Sequence, residues 1–358
     1  MKRKLGIGLA VIALAIGLVF LFGRGWLAER AFQSALDNTV GIDQSAKLSD
    51  GLHVYVCGSG SPMPDAMRAG PCIAVLAGTQ AFVFDAGSGS IRKLQRMGFP
   101  MPKIQAAFLT HLHSDHIDGL GELLLQAWVA GGRAAPLPVY GPAGTDKVIA
   151  GFNSAYTIDS GYRVAHHGPK IVQPGGFGGA AQIIAMADGT DAQVVYDNSG
   201  VKITVIRVNH APIAPAFGYR VDYKGRSIAL SGDTVYSPSF IAASKGADLM
   251  LHDALNKQMV AALGKKLAER GQARTAQIMT DIQNYHASPE DAARSAQEAG
   301  VQALVLYHLV PAPPARLIEP LFLGQAPKLF GGTLKLAKDG MIISLPAGGK
   351  AVKFSSAW

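Results

Sequence analysis

Six consecutive residues, His111 to His116, carry four side chains of metal-ligand type: His111, His113, Asp115 and His116. They directly follow an apolar run, Ala106 to Thr110, that reads as a β-strand. In extended chain, side chains two apart share a face, so His111 and His113 project together. Asp115 and His116 fall in the turn before a helical pattern from Gly119 to Ala130, where they can aim at a second point close by. Neutral imidazole and carboxylate are the ligands that zinc takes. A lone histidine is more often a core residue. Four such groups at the mouth of one strand are a metal cluster, and a cluster needs a large rigid scaffold.

The chain's 358 residues can supply one, and they exceed what a small metal- or disulfide-stapled module needs. Hydrophobic residues at 49% against 16% charged exclude a disordered chain. Strands are expected at His53 to Val56, Ile73 to Leu76, Ala81 to Asp85, Val201 to Val208, Phe217 to Tyr223, Ser227 to Ser231, Leu249 to His252 and Ala303 to Tyr307. Ser288 and Pro289, then Glu290 and Asp291, announce a helix running to Ala299. Thr333 to Leu336 and Met341 to Leu345 read as a strand pair turned by Lys338-Asp339-Gly340. Residues 151–197, glycine-rich near Gly175, read as a loop-like insertion, too long for a plain connection and so either a functional loop or a small subdomain, within a domain spanning 50–348, ahead of a 349–358 tail. Strands alternating with helices in both halves predict an α/β sandwich.

Three further candidates stand at strand ends. His210 follows the strand of Val201 to Val208, Asp233 lies just past Ser231, and His308 follows Tyr307. Each is weak alone, yet functional groups gather on loops at one edge of a sheet.

With these residues in view, the chain resembles the metallo-β-lactamase superfamily. His111-x-His113-x-Asp115-His116 matches its hallmark, and His210, Gly232-Asp233 and His308 follow in its order. Within it, Cys57-Gly-Ser-Gly-Ser-Pro62, Phe84-Asp85-Ala-Gly87 and the segment from His286 to Ala293 resemble the ribonuclease Z and arylsulfatase-like branch. The likeness runs from Leu52 to Val310. It implies an αββα sandwich and a dinuclear zinc centre, with other divalent metals acceptable. His111, His113 and His210 would hold one ion, Asp115, His116 and His308 the other, and Asp233 would bridge them. Asp85 would orient a ligand histidine. A zinc-activated hydroxide would attack an ester, with Asp115 as proton acceptor and His286 as donor to the leaving group. Where ribonuclease Z typically has His-Glu, this chain has His252-Asp253. The implied substrates are phosphodiesters or sulfate esters. A lactone or β-lactam, or a non-hydrolytic metal-binding scaffold, are the competing readings.

The N-terminus adds an expectation of place. Leu5 to Phe22 is apolar and uncharged, preceded by Lys2, Arg3 and Lys4 and followed by Trp26. This predicts an N-terminal transmembrane helix within residues 1–30, a linker over 31–49, and a catalytic domain outside the cytoplasm, periplasmic or at the cell surface. A cleaved leader would leave it secreted. The net charge of +8 is otherwise scattered, so the expected partners are a small ester substrate, which can be anionic, and the membrane, with no nucleic acid. Cys57 and Cys72 flank a loop, and one bridge or two buried thiols both fit.

Overall fold

The computed structural model describes residues 8, 11, 12, 14, 16–20 and 23–358. Its first unit, residues 1–47, contains α1 (Arg24–Thr39). The second, residues 48–358, contains every strand.

Strands β1 (Gly51–Gly58), β2 (Cys72–Ala77), β3 (Gln80–Phe84), β4 (Ile104–Phe108), β5 (Leu137–Gly141) and β6 (Gly179–Ile183) build most of one sheet. Then come β7 (Ala192–Asn198), β8 (Val201–His210), β9 (Ile213–Tyr223), β10 (Arg226–Leu230), β11 (Leu249–Leu255), β12 (Ala303–Val310) and β13 (Thr333–Leu336), which form the other. Strands β14 (Met341–Pro346) and β15 (Lys353–Ser356) return to the first sheet, whose order is β15-β14-β1-β2-β3-β4-β5-β6. The second sheet is ordered β13-β12-β11-β10-β9-β8-β7.

The layering follows from the two faces of each strand. In β1, Val54 and Val56 enter the core between the sheets, beside Val205, Phe217 and Val305. Tyr55 and Cys57 face the other way, into a layer closed by α2 (Ser90–Arg96), α3 (Ser114–Ile117), α4 (Leu120–Val129) and α5 (Thr145–His167). Beyond the second sheet lie α6 (Pro238–Ser244), α7 (Lys257–Glu269), α8 (Ala273–Asp281), α9 (Pro289–Ala299), α10 (Glu319–Leu323) and α11 (Ala326–Leu329); α6, α9, α10 and α11 supply its cover, α7 adds the half-buried Met259, and α8 rests on a small separate cluster. Both faces of a strand such as β1 are buried, which is why its sequence is apolar throughout. Phe82, Phe108 and Phe217, almost wholly buried, each contribute about 1.5–3 kcal/mol. The result is the expected αββα sandwich. Strands β3 to β6 and β10 to β13 run parallel within their sheets, so their C-terminal ends open on common edges.

Four expectations change. The run from Leu5 to Phe22 lies partly outside the described residues, and among those described no helix is long and apolar enough to cross a membrane. Helix α1 has 16 residues, about 24 Å, against a hydrocarbon layer of roughly 30 Å. It also carries Arg24, Glu29, Arg30 and Asp37. The expected transmembrane helix is therefore overturned. The membrane partner and the extracytoplasmic address, whether periplasmic, cell-surface or secreted, rested on that span and fall with it.

Residues 151–197 are not loop-like. They hold most of the 23-residue α5, then β6 and β7. Helix α5 hides from pattern reading because only Thr145 and Ile149 are buried and Gly151 and Gly161 interrupt it. The expected hairpin of β13 and β14 does not form, because the two strands belong to different sheets. Asp339 leaves the local turn and accepts from Ser59 N–H and Oγ–H at 2.9 and 2.7 Å and from Ala69 N–H at 2.6 Å. Residues 349–358, read as a tail, supply β15. Cys57 and Cys72, left open above, form a disulfide.

Candidate metal centre

Every predicted ligand stands at one edge of the two sheets. His111 and His113 lie just beyond β4, and Asp115 and His116 lie in α3. His210 ends β8, Asp233 sits in the loop after β10, and His308 lies within β12. The backbone is specialised where it aims them. At His308 the pairing of β11 with β12 slips: Tyr307 faces Asp253, Leu309 faces Ala254, and His308 is the unpaired residue between. Its φ of 47° turns the side chain into the site. Gly232 has φ 61°, and a Cβ there would lie 2.5 Å from the Phe217 carbonyl, so only glycine lets Asp233 reach its place.

The ring nitrogens are sorted by their neighbours. Thr110 Oγ1 donates to Asp85 Oδ2 at 2.8 Å, so it accepts from His111 Nδ1 at 3.0 Å. His210 Nδ1 donates to the Tyr285 carbonyl at 2.8 Å. His116 Nδ1 donates to Asp85 Oδ2 at 2.8 Å. In His111 and His210, whose pKa values are lowered, Nε2 is left as a lone pair, whereas His116 turns its Nε2 to Asp233 Oδ2 at 3.3 Å. His111 Nε2 then faces His113 Nδ1 at 2.9 Å, and His210 Nε2 faces that same atom at 3.4 Å. His116 Nε2, fully buried, has no hydrogen-bond partner.

The carboxylates complete the arrangement. Asp115 Oδ2 lies 3.2 Å from His308 Nε2 and 3.6 Å from His116 Nε2. Asp233 Oδ2 is 3.3 Å from both His116 Nε2 and His308 Nε2, and 3.9 Å from His111 Nε2. It thus faces both sets. Among the described residues four groupings bring ligand atoms within 4.8 Å of one another: His111, His113 and His210; His111, His116 and Asp233; Asp115, His116 and His308; and His210, Asp233 and His286. His113 Nδ1 can carry a proton towards only one of the two nitrogens that face it, so a buried lone pair stays without a donor, which is costly. A cation among them removes that cost, so these residues fit divalent metal.

Electrostatics follow burial and charge. Burial and the neighbouring His116 push His111 well below the ordinary histidine range. Burial likewise lowers His113 and His210. For Asp233, burial works upward, but His308 and His116 outweigh it and hold the carboxyl well below the usual range. For His116, burial works downward and is overcome by Asp233 and Asp85, leaving it well above 6.5. For Asp115, burial works upward and loses to the bond with His308, so the carboxylate stays ionised at neutral pH.

Beside this centre is a second buried pair. Asp253, wholly buried, accepts from His286 Nδ1 at 3.0 Å. The shorter carboxylate therefore still reaches His286. That ring lies 5.3 Å from His308 and 5.2 Å from His210. Over residues 80–309 the chain matches the β-lactamase superfamily domain. Ribonuclease Z of Mycobacterium avium (strain 104) is 37% identical over 290 residues, which are 80% of this chain and 96% of that one.

The chain belongs to the metallo-β-lactamase superfamily.

Membership makes it a hydrolase. Among solved structures, the short form of human tRNase Z superposes with a TM-score of 0.55 at 22% identity, over 82% of this chain and 99% of that one. The metallo-β-lactamase fold protein YhfI from Bacillus subtilis gives 0.55 at 23% identity, over 82% and 99%. Both share the fold. The expectation of no nucleic acid is overturned, since the 37%-identical relative is named for ribonuclease activity. That exclusion had leaned on the membrane anchor and on scattered charge.

The hydrolase's sequence hid several residues of the site. Thr110 orders His111 through a hydroxyl, which no motif announces. Tyr285 orders His210 through a backbone carbonyl, for which side-chain identity carries no signal. His166 and His167 end α5 and are exposed, and they join none of these groups.

Proposed function

We propose that this superfamily member is a zinc-dependent phosphodiesterase whose substrate is RNA, with residues 50–348 as the catalytic domain. The observation that carries the reading is the pairing of likeness to a ribonuclease over 80% of this chain with a complete set of facing ligand atoms. His111, His113 and His210 would hold one zinc ion and Asp115, His116 and His308 a second, with Asp233 between. Bound there, the ions would polarise a phosphoryl oxygen and lower the pKa of a coordinated water to about 7.

The chain's own residues do the rest. Asp115, ionised and 12% exposed at its side chain, is placed to take a proton from the attacking water. His286 has Nδ1 committed to Asp253, so its ring is fixed and Nε2 is the nitrogen free to pass a proton to the leaving oxygen. Asp85 holds the His116 ring, and the Tyr285 carbonyl holds that of His210. Burial of His111, His116, His210, Asp233 and His308 strengthens each of these interactions.

The test is a substrate panel on the purified full chain with zinc: an RNA oligonucleotide, bis(p-nitrophenyl) phosphate, p-nitrophenyl sulfate and nitrocefin. Turnover of both phosphodiesters is expected. Hydrolysis of nitrocefin or the sulfate ester with both phosphodiesters untouched would refute the reading.

A further inference from the structure

Strands β11 and β12 are parallel neighbours, and joining them takes one crossover helix. Helix α9 is that crossover. Yet between β11 and α9 the chain also makes the antiparallel pair α7 and α8, residues 257–281, which the crossover does not need. Nor does the core need it. Only Val260, Gly264 and Met279 of the pair are buried, and Val260 and Met279 rest on a small cluster with Leu255 and Val310, apart from the main cores. A mostly exposed hairpin of 25 residues costs about 1–2 kcal/mol of backbone entropy per residue, and this one is repaid little by burial.

Its position and charge indicate a purpose. The hairpin begins at Lys257, four residues after Asp253, and ends at Asp281, four before Tyr285 and five before His286, so both roots adjoin the site. It carries Lys257, Lys265, Lys266, Arg270 and Arg274 against Glu269 and Asp281. Lys266 pairs with Glu269, while the other four cations enter no ion pair among the described residues. Between the helices lies a cleft of about 380 Å³ lined by Lys265, Gln277, Thr280 and Gln283 among alanines. The other basic pocket, at Arg68, Lys93, Arg96 and Lys338, is different: Lys93 pairs with Asp339, Lys338 with Glu319, and Arg96 stacks on Trp358. Its cations are already engaged.

We infer that the α7–α8 hairpin is the surface that grips the RNA strand beside the site, its free lysines and arginines lying on successive phosphates. The inference rests on the RNA reading above. Helix α7 alone spans about 20 Å, so its cations are too far apart to converge on one small anion and suit an extended polyanion. Gln277 and Gln283 each use one amide N–H within the hairpin, towards Asp281 and the Met279 carbonyl, and keep a second for phosphate and sugar oxygens.

The experiment replaces Lys257, Lys265, Arg270 and Arg274 together by Gln in the full zinc-loaded chain, with Lys265→Gln alone as a milder variant. Each lost phosphate contact removes about 0.7 from the slope of log affinity against log salt, so the fourfold variant should lose nearly 3. KM for RNA should rise at least tenfold at ~0.1 M salt, with kcat retained. Bis(p-nitrophenyl) phosphate, too small to span site and hairpin, reports that each variant is folded. RNA bound with unchanged KM and salt slope, while the small ester is turned over normally, overturns the inference and leaves the RNA reading standing. A native chain that hydrolyses the small ester but neither binds nor cleaves RNA overturns that reading instead, and the inference with it.

Discussion

Replacing Asp85 by Asn tests how far the metal centre depends on a residue that offers it no free oxygen. Asp85 is 3% exposed, and both its oxygens are committed. Oδ1 accepts from Thr110 N–H at 2.8 Å, while Oδ2 accepts from Thr110 Oγ1–H and His116 Nδ1–H, both at 2.8 Å. An amide of the same shape keeps one acceptor edge only. With its carbonyl at the Oδ2 position, its NH₂ meets the Thr110 N–H, donor against donor, at a cost of about 1–3 kcal/mol in a buried site. With the amide reversed, His116 loses its partner. Either way the negative charge behind the His116 ring is gone. Loss of such a partner typically costs 10–100-fold in metal affinity, or about 1.4–2.8 kcal/mol. Zinc titration against a competing chelator should therefore show affinity lower by one to two orders of magnitude. Chemical denaturation of the metal-free protein should show stability lower by about 1–3 kcal/mol. Zinc binding within twofold of the native protein would refute the argument that Asp85 acts through His116.

His286→Ala should reduce RNA cleavage by about 100-fold or more in kcat, but have far less effect on bis(p-nitrophenyl) phosphate, whose leaving group departs without a proton. Equal losses on both substrates would contradict a donor role. His53 is buried, with Nδ1 beside Ser344 Oγ at 2.9 Å and Nε2 beside the Ser49 carbonyl at 2.7 Å. Burial lowers its pKa from 6.5, so its contribution to stability is full above pH 6.5 and is lost as the pH falls through the folded value. The His53→Gln protein should thus lose less stability than the native one between pH 7.5 and about 5, and identical slopes in denaturation would rule this out. Ser288→Ala removes one half of a reciprocal cap with Asp291 and should destabilise by about 1 kcal/mol, measured by thermal unfolding; no change would mean that α9 is held by packing alone.

What the sequence alone determined was local. His111, His113, Asp115 and His116 sit within one turn of chain, so their spacing already placed them together. Ser288, Pro289 and Asp291 likewise announced α9 through contacts three residues apart. Apolar runs revealed the inner strands, because both faces of a central strand are buried. Tertiary structure decided whatever depends on distant chain. It brought His210, Asp233 and His308 to the first cluster and joined Asp253 to His286 across 33 residues. It sent Asp339 to Ser59 instead of its own turn, moving β14 to the other sheet. It also left α5, whose weak apolar periodicity gives pattern reading little to hold, as a helix with little buried surface, and it set the amphipathic α7–α8 hairpin on a small cluster apart from the main cores. Residue type and spacing encode chemistry within a few residues, whereas packing between sheets selects which distant groups share one dry site.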